Sequence, residues 1–227
     1  MYFCVRNKVL IIKIKTMALV GKKFPNITVD AISSMGDNLR INVLEEAVNN
    51  KKKVVLFWYP KDFTFVCPTE LHAFQAALGE FEKRNTMVIG ASCDTNEVHF
   101  AWLNTAKDNG GIEGVTYPIL ADTTRNLSAN LEILDAEWVY DEELNEEILE
   151  GSNVTFRATY LIDEEGKIFH ESVNDMPLGR NVNEYLRLID AYTHVQTKGE
   201  VCPANWEEGK EAMSADRNST AAYLASH

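Results

Sequence analysis

The chain has few basic residues for its size. Its 227 residues contain 22 Lys and Arg against 34 Asp and Glu, a formal net charge of −12 at pH 7. A nucleic-acid partner requires a basic face that neutralises phosphates, and an acidic chain is not attracted to anionic lipid. The composition therefore argues against nucleic acid and against a membrane as partners.

Long apolar runs are also missing. The run Val9–Ile12 is too short for the apolar region of a signal peptide or for a bilayer span, and Lys13 and Lys15 interrupt it. The first sixteen residues differ in character from everything that follows. We therefore interpret residues 1–16 as a disordered or translated upstream extension, with the functional protein beginning near Met17.

No linker rich in Gly, Ser or Pro divides the remainder of the chain. A chain of this length could form one large domain or two small ones, and the lack of a linker favours one. We expect a single domain over residues 17–195 and a C-terminal arm over residues 196–227.

Cysteine is scarce, with four residues in the whole chain. Together with the missing export signal, this predicts a cytoplasmic protein in which thiols stay reduced and a disulfide is catalytic rather than structural. The cysteines and the five histidines show no spacing typical of a zinc site. We expect neither a metal nor another cofactor.

One cysteine, Cys67, lies where a strand gives way to a helix. The apolar run 54–58 before it is typical of a strand buried on both faces. After it, apolar residues recur at steps of three and four over residues 71–81, which predicts an amphipathic helix. Cys67 is therefore expected at or near a helix N-terminus.

A helix N-terminus favours a thiolate over a thiol, because unpaired N–H groups and the peptide dipoles point at the sulfur. The helix end contributes only about 0.3–1 kcal/mol, whereas an ordinary cysteine thiol is mostly protonated at pH 7. A fixed positive charge and hydrogen bonds must contribute the rest. Taken alone, a cysteine at this position is more often inert and buried than reactive.

The residues around this cysteine favour a catalytic interpretation. Pro60, Thr64 and Cys67 have the spacing Pro-x-x-x-Thr-x-x-Cys, within the longer string Phe-Thr-Phe-Val-Cys-Pro-Thr-Glu-Leu. This segment resembles the typical 2-Cys peroxiredoxins, including the bacterial alkyl hydroperoxide reductase small subunit. The resemblance implies that Cys67 is the peroxidatic cysteine, that the Thr64 hydroxyl bonds thiolate and peroxide, and that Pro60 shields the pocket from water.

A second cysteine, Cys202, lies in Val-Cys-Pro-Ala-Asn-Trp, which resembles the resolving-cysteine segment of the same family. In that family the resolving cysteine comes from the other subunit, so the resemblance implies a homodimer with an intersubunit Cys67–Cys202 disulfide, and favours a decameric ring. The substrates would be hydrogen peroxide and small organic hydroperoxides. An external dithiol must reduce the disulfide; thioredoxin and a flavin-containing disulfide reductase both remain open.

The fixed charge is expected from Arg157, which opens the segment Arg-Ala-Thr-Tyr-Leu-Ile-Asp. An arginine at the start of a strand is commonly part of a surface ion pair. This segment, however, resembles the family segment whose arginine lies beside the peroxidatic sulfur. A guanidinium stays protonated and offers a rigid fork of donors, so it can hold a thiolate and polarise a departing oxygen. By the same resemblance, Glu70 orients Arg157.

The remaining pattern predicts an α/β layered fold, and the resemblance implies a thioredoxin-like fold with a central mixed β-sheet and helices on both faces. A turn at residues 163–167 joins the last two strands in a hairpin. The predicted elements, in chain order, are a strand at 54–58, a helix at 69–84, a strand at 87–92, a helix at 96–108, strands at 158–163 and 167–173, and a helix at 181–196.

Several residues near these motifs are expected to be structural. Cys93 ends an apolar strand pattern and is predicted to lie in the core. Asp94, His99 and Trp102 match a family pattern on the following helix and are expected to support the structure. His72, although conceivable as a base, is predicted to occupy an exposed helix position.

Acidic residues are concentrated at 135–150, with no Lys or Arg among them. We interpret this segment as a solvated surface insertion. Composition alone does not indicate what it contacts.

Two further motifs bear on over-oxidation. Family members that over-oxidise readily carry Gly-Gly-Leu-Gly and a C-terminal Tyr-Phe, and the matching positions here read Gly-Gly-Ile-Glu at 110–113 and Tyr-Leu at 223–224. Half of each motif is present, which predicts intermediate resistance to sulfinic-acid formation.

Two alternative activities are compatible with a fold of this class. A disulfide reductase or isomerase would need a vicinal cysteine pair, and residues 67–70 lack the second cysteine. A holdase chaperone or redox-signalling role is compatible with the peroxidase interpretation and would coexist with it.

Overall fold

The computed structural model describes residues 2–5, 8–11 and 18–226. Near the N-terminus, β1 (Tyr2–Val5) pairs with β2 (Lys8–Ile11) in an antiparallel hairpin. The other residues of the predicted extension, at positions 1, 6, 7 and 12–16, lie outside the described residues. The interpretation of residues 1–16 as an upstream extension therefore stays a prediction.

A seven-stranded mixed sheet forms the centre of the molecule, in the order β11-β10-β5-β6-β7-β3-β4. The central neighbours β5, β6 and β7 run parallel, and the outer pairs are antiparallel. Its strands are β3 (Thr28–Ile32), β4 (Asn38–Asn42), β5 (Lys53–Trp58), β6 (Thr86–Ser92), β7 (Ile119–Ala121), β10 (Arg157–Ile162) and β11 (Ile168–Asn174).

Helices cover both faces of this sheet. The helices are α1 (Val43–Asn50), α2 (Cys67–Ala76), α3 (Leu78–Lys83), α4 (Asn96–Leu103), α5 (Asn126–Asn130), α6 (Val182–Lys198) and α7 (Arg217–Ser226). Helices α1 and α5 pack into one apolar core, whereas α2, α3, α4 and α6 pack into the core on the opposite face. The predicted thioredoxin-like α/β fold is confirmed.

Strand β5 contributes side chains to both apolar cores. All six of its residues are buried. Val54, Leu56 and Trp58 face one core while Val55 and Phe57 face the other. Because side chains alternate along a strand, a continuous apolar run is what a sheet covered on both faces requires.

Most predicted elements are present with small changes at their ends. The predicted helix 69–84 is two helices, α2 and α3, which meet at Ala77. The predicted helix 96–108 ends at Leu103 and is followed by a short 3₁₀ turn at Lys107–Asn109. The hairpin between β10 and β11 is confirmed, with the Asp163 carboxylate accepting from the backbone N–H groups of Glu165 and Lys167.

The acidic segment forms a β-hairpin. Strand β8 (Leu134–Asp141) pairs antiparallel with β9 (Glu146–Thr155), apart from the central sheet. The hairpin is largely solvent-exposed towards its tip, as expected for a surface insertion, but its strands were not predicted. At its base, Thr155 Oγ1 donates to the carbonyl of Tyr59 over 3.2 Å, so the hairpin leaves the body next to the end of β5.

Candidate active site

The chain leaves the sheet at the end of β5 and returns to regular structure in α2, whose first residue is Cys67. No side chain caps this helix. In its first turn Pro68 has no N–H group, and the backbone N–H groups of Thr69 and Glu70 donate to the carbonyl of Val66. Because Cys67 is the first residue of α2, its predicted location at a helix N-terminus is confirmed. Its side chain is fully buried there.

Arg157 supplies a positive charge next to the sulfur. It is the first residue of β10, and its Nη1 donates to Cys67 Sγ over 3.3 Å. Its Nε donates to the carbonyl of Met176 over 2.6 Å, which fixes the plane of the guanidinium. Arg157 is 3% exposed, so water screens its interaction with the sulfur only weakly.

Glu70 links this arginine to a second one. Its Oε2 accepts from Arg157 Nη1 at 2.7 Å and from Arg180 Nη2 at 2.9 Å, while its Oε1 accepts from Arg180 Nε at 2.8 Å. Because Glu70 lies one turn after Cys67 in α2, the helix itself sets the carboxylate behind the sulfur. The hydrogen bond between Glu70 and Arg157 is the contact that Glu70 needs if it orients Arg157, as predicted.

Arg180 was not predicted, and the structure brings it into the centre of the site. Its side chain is 0% exposed, and its Nη1 donates to the carbonyls of Trp58 and Ala158 at 2.8 and 2.9 Å. Arg180 therefore joins the ends of β5 and β10 to α2. In the sequence, only the position of Arg180 just before the start of α6 indicated such a role. A positive charge near a helix N-terminus is unfavourable in the field of the helix dipole and needs a compensating negative partner.

The charges of this buried cluster do not cancel while Cys67 is a thiol. The two guanidinium groups and the one carboxylate leave an excess of one positive charge, on side chains that are at most 4% exposed. The arrangement therefore presents an uncompensated positive charge to the Cys67 sulfur.

The loop before Cys67 contains the other two predicted residues. Pro60 is buried directly after β5, consistent with a shielding position. Thr64 is half-buried, and its hydroxyl donates its proton to the carbonyl of Lys61 at 2.9 Å. A bond from Thr64 to the Cys67 sulfur requires this hydroxyl to rotate, so the role implied for Thr64 stays a prediction.

A buried network of polar side chains holds the loop between β5 and α2 in place. The Asp62 carboxylate accepts from the Tyr59 hydroxyl at 2.8 Å and lies 2.7 Å from His99 Nδ1. The backbone N–H of Asp62 donates to Asp94 at 2.9 Å, and Trp102 Nε1 donates to the Gly110 carbonyl at 2.9 Å. Burial raises the pKa of Asp62, whereas its bond to His99 lowers it. These contacts agree with the structural roles expected for Asp94, His99 and Trp102.

The prediction of an exposed His72 is wrong. His72 is half-buried, and its Nε2 lies 3.1 Å from the carbonyl of Gly111. The loop after α4 covers it, and the missing side chain at Gly111 lets this loop fold tightly on itself, because a Cβ there would overlap the backbone carbonyl of Thr105. His72 therefore ties α2 to this loop.

Cys202 lies in the arm after α6, half-buried, with its Sγ 3.7 Å from the carbonyl of Ala191. Cys67 and Cys202 are both free thiols. Cys93 is also a free thiol, but it is half-buried rather than enclosed in the core as predicted, because β6 ends beside it. Burial raises the pKa of Cys93 to about 11, against a lowering contribution from Ser128.

The described part of the chain contains no group of three His, Cys, Asp or Glu side chains arranged to hold a metal ion. No described helix is long and apolar enough to cross a membrane.

Comparison with known proteins identifies relatives over nearly the whole chain. Residues 20–171 match the AhpC/TSA family, and residues 191–226 match the C-terminal domain of 1-Cys peroxiredoxin. Alkyl hydroperoxide reductase C of Helicobacter pylori is 40% identical over 207 residues, which are 91% of this chain and 96% of the relative. The chloroplastic 2-Cys peroxiredoxin BAS1 of Hordeum vulgare is 36% identical, with 92% and 91% covered.

Solved structures agree with this match. The reduced 2-Cys peroxiredoxin of Plasmodium vivax has a TM-score of 0.81 at 36% identity and covers 92% of this chain and 99% of its own. The chain therefore belongs to the AhpC/TSA family of peroxiredoxins and is a thiol-dependent peroxidase.

Proposed function

We propose that Cys67 is the peroxidatic residue and that it reduces hydrogen peroxide and small organic hydroperoxides. The observation that carries this proposal is the 3.3 Å contact between Arg157 Nη1 and Cys67 Sγ, inside a buried cluster with one excess positive charge. The thiolate attacks one peroxide oxygen and the O–O bond breaks. The sulfur becomes a sulfenic acid, and the other oxygen takes a proton and leaves as water or an alcohol.

Arg157 acts at both stages of this step. Its guanidinium stabilises the thiolate before attack, and the same fork of donors can bind the negative charge that develops on the departing oxygen. Glu70 and Arg180 keep the fork in its plane through their shared hydrogen bonds. Because the sulfur itself is fully buried, compact peroxides are favoured over bulky ones.

The second step uses Cys202 of the partner subunit, which condenses with the Cys67 sulfenic acid to an intersubunit disulfide. A homodimer is supported by β11, which lies at the edge of the central sheet and exposes Val173. An unpaired edge of this kind can pair with the same edge of a second copy. The exposed Phe63 and Phe65, with 53% and 94% of their surface accessible, offer a second apolar contact for closing dimers into a decameric ring.

The disulfide is then reduced by an external dithiol, either thioredoxin or a flavin-containing disulfide reductase. We place the enzyme in the cytoplasm. The proposed location is supported by the three cysteines whose side chains the structure describes, which are free thiols as expected in a reducing compartment.

Peroxide consumption by two single variants tests this cycle. Cys67→Ser is expected to abolish peroxidase activity, because no sulfur remains to attack the O–O bond. Cys202→Ser is expected to form one equivalent of sulfenic acid with no disulfide-linked dimer. Full turnover by Cys67→Ser, with either reductant, would overturn the proposal. Size-exclusion chromatography with light scattering measures the dimer and the ring directly.

A further inference from the structure

The loop before Cys67 is held to the body of the protein by a single buried side chain. Residues 59–66 join β5 to α2, and after Pro60 the only buried side chain in this segment is that of Asp62. Phe63 and Phe65 are 53% and 94% exposed. A segment that buries so little apolar surface opens at a small cost in free energy. The contacts of Asp62 therefore decide how firmly this loop is closed.

Asp62 is bound through its backbone and through its side chain. Its backbone N–H donates to Oδ2 of Asp94 over 2.9 Å, and its Oδ1 accepts from the Tyr59 hydroxyl at 2.8 Å. Its Oδ2 lies 2.7 Å from Nδ1 of His99, on α4. The side chains of His99 and Asp62 are 0% and 1% exposed. These bonds tie the loop to α4 and to the turn before it.

A proton lies between Asp62 and His99. Nε2 of His99 lies 3.2 Å from the carbonyl of Leu120, and because a carbonyl oxygen only accepts, Nε2 must donate. A neutral imidazole has one N–H group. The 2.7 Å contact of Nδ1 with a carboxylate oxygen therefore requires a second proton, carried by the ring or by the carboxyl group. In either form the pair makes one short hydrogen bond away from solvent, where such a bond is strong.

The backbone next to this anchor is strained. Phe63 has a φ of 53°, in the left-handed region that a bulky side chain seldom adopts. A residue in this region keeps its conformation only where the surrounding structure fixes it. The Phe63 ring lies 5.8 Å from the ring of Trp102, which is also on α4. Because Phe63 follows Asp62 directly, release of Asp62 allows the backbone of Phe63 to leave this region.

The two steps of the cycle need different states of this loop. Peroxide attack needs the closed loop, in which Arg157 Nη1 lies 3.3 Å from Cys67 Sγ. Disulfide formation needs an open one, because the Cys67 side chain is fully buried and bonded sulfurs lie about 2.05 Å apart. A second sulfur cannot reach Cys67 until the loop has opened.

We propose that His99 is a positioning residue that acts through Asp62: their hydrogen bond holds the Cys67 loop closed for peroxide attack and opposes the opening that the resolving step requires. The proposal rests on the proposed function of Cys67 and Cys202. In the resolving step the Cys202 thiolate attacks the sulfur of the Cys67 sulfenic acid. The S–S bond forms, the S–O bond breaks, and the hydroxide that leaves takes a proton and becomes water.

Two substitutions of His99 separate its two hydrogen bonds. His99→Asn places an amide N–H near the position of Nδ1, so it keeps a donor to Asp62 and loses the bond to Leu120. His99→Gln places its amide N–H near the position of Nε2, so it keeps a donor to Leu120 and loses the bond to Asp62. Each variant loses one buried hydrogen bond, so the two are matched in their general cost to the fold. Only His99→Gln releases the loop.

His99→Gln is expected to form the disulfide about tenfold faster than His99→Asn, because a hydrogen bond to a buried charged group changes an equilibrium by at least this factor. Sulfenic-acid formation should be equal or slower in His99→Gln, since the closed loop is less populated. A merely structural role predicts the same sign for both steps, because a distorted site slows both. Asp62→Asn keeps an acceptor for Tyr59 and a donor for His99, so both rates should stay within about twofold of the parent.

Tyr59→Phe tests the same anchor without a change at His99. It removes the hydroxyl that donates to Asp62 and keeps the buried ring, so the variant should fold and should also form the disulfide faster than the parent. This variant keeps the proposal testable if the His99 variants do not fold.

The two steps are measured separately. Stopped-flow fluorescence after one equivalent of hydrogen peroxide follows sulfenic-acid formation in the Cys202→Ser background. Acid quenching and non-reducing electrophoresis follow disulfide formation with Cys202 present. Disulfide formation in His99→Gln that is equal to or slower than in His99→Asn is incompatible with the proposal.

A failure of the proposed function is distinguishable from a failure of this proposal. If Cys202→Ser still forms disulfide-linked dimers, the resolving role of Cys202 itself is refuted, and the proposal with it. If Cys202→Ser blocks the disulfide while His99→Gln and Tyr59→Phe form it no faster than the parent, the proposal about His99 alone is refuted.

Discussion

Replacing Arg157 with Gln isolates the charge next to the reactive sulfur. The glutamine side chain is of moderate length and keeps an N–H donor, but it lacks the positive charge that lies 3.3 Å from Cys67 Sγ in the parent protein. Glu70 remains bound to Arg180 through both carboxylate oxygens, so no unpaired carboxylate is left in the core. We therefore expect the variant to fold, and its thermal unfolding curve can verify this.

The size of the effect follows from the geometry. Two unit charges at 3.3 Å in a medium of effective dielectric constant 20 attract by about 5 kcal/mol. This is an upper limit, because the charge of a guanidinium is delocalised. A hydrogen bond to a charged group contributes about 1.5–3 kcal/mol. Between these figures, a loss of about 3–4 kcal/mol predicts a rate lower by about 10²–10³-fold.

The assay is the second-order rate constant for hydrogen peroxide under single-turnover conditions. Arg157→Lys keeps the charge but loses the planar fork, so its rate should lie between those of the parent and Arg157→Gln. Arg84→Gln is the matched control, since Arg84 also binds a carboxylate but lies with Lys53 at the opposite end of β5. A decrease of less than about threefold in Arg157→Gln, or an equal decrease in Arg84→Gln, would refute the reasoning.

Four further outcomes are expected. Arg180→Gln should lower the free energy of unfolding in urea by about 3 kcal/mol or more, because it breaks a buried ion pair and leaves two carbonyls without donors. Gly111→Ala should lower that free energy by about 1–3 kcal/mol, because a methyl group would overlap backbone. Gly79→Ala, in an open helical position, should change it little or raise it. Burial raises the pKa of Cys93 to about 11, so this thiol stays protonated at pH 8. Iodoacetamide should therefore label Cys93 about 100-fold more slowly than a thiol of pKa about 9, as measured by mass spectrometry. Equal labelling rates in folded and urea-unfolded protein would contradict this prediction. Finally, micromolar peroxide in a single turnover should leave Cys67 without sulfinic acid, and its detection by mass would show that the departures of this chain from the loop and tail motifs of readily over-oxidised relatives confer no resistance.

The local sequence predicts the part of the site that a short segment determines. The buried run of β5 and the amphipathic pattern after it place Cys67 at the start of α2, and both patterns lie in the local stretch of residues 54–81. The contact with Arg157 spans 90 positions. No periodicity reports such a separation, and it was predicted through family resemblance alone.

Arg180 could not be found in this way. Its partners are Glu70 and the carbonyls at the ends of β5 and β10, which are 110, 122 and 22 positions away. Only the folded sheet brings them together. Local patterns also missed β7 and α5, which have three and five residues and are shorter than the windows in which periodicity can be recognised.

The hairpin of β8 and β9 was missed for a different reason. Leu134, Ala136 and Tyr140 alternate with acidic residues, which is the period of a strand with one apolar side. The high negative charge indicated a solvated surface insertion, and charge decides exposure rather than backbone conformation. The predicted exposure agrees with the exposed tip of the hairpin, whereas its two strands were not predicted.

Identifying the sulfur that peroxide oxidises first tests the central claim most directly. In Cys202→Ser, one equivalent of hydrogen peroxide followed by a sulfenic-acid trap and peptide mass spectrometry reports the residue and the rate of its labelling. The account predicts a single trapped adduct on Cys67, formed faster than on free cysteine and slowed by Arg157→Gln. An adduct on Cys93, or labelling of Cys67 no faster than of free cysteine, would contradict it.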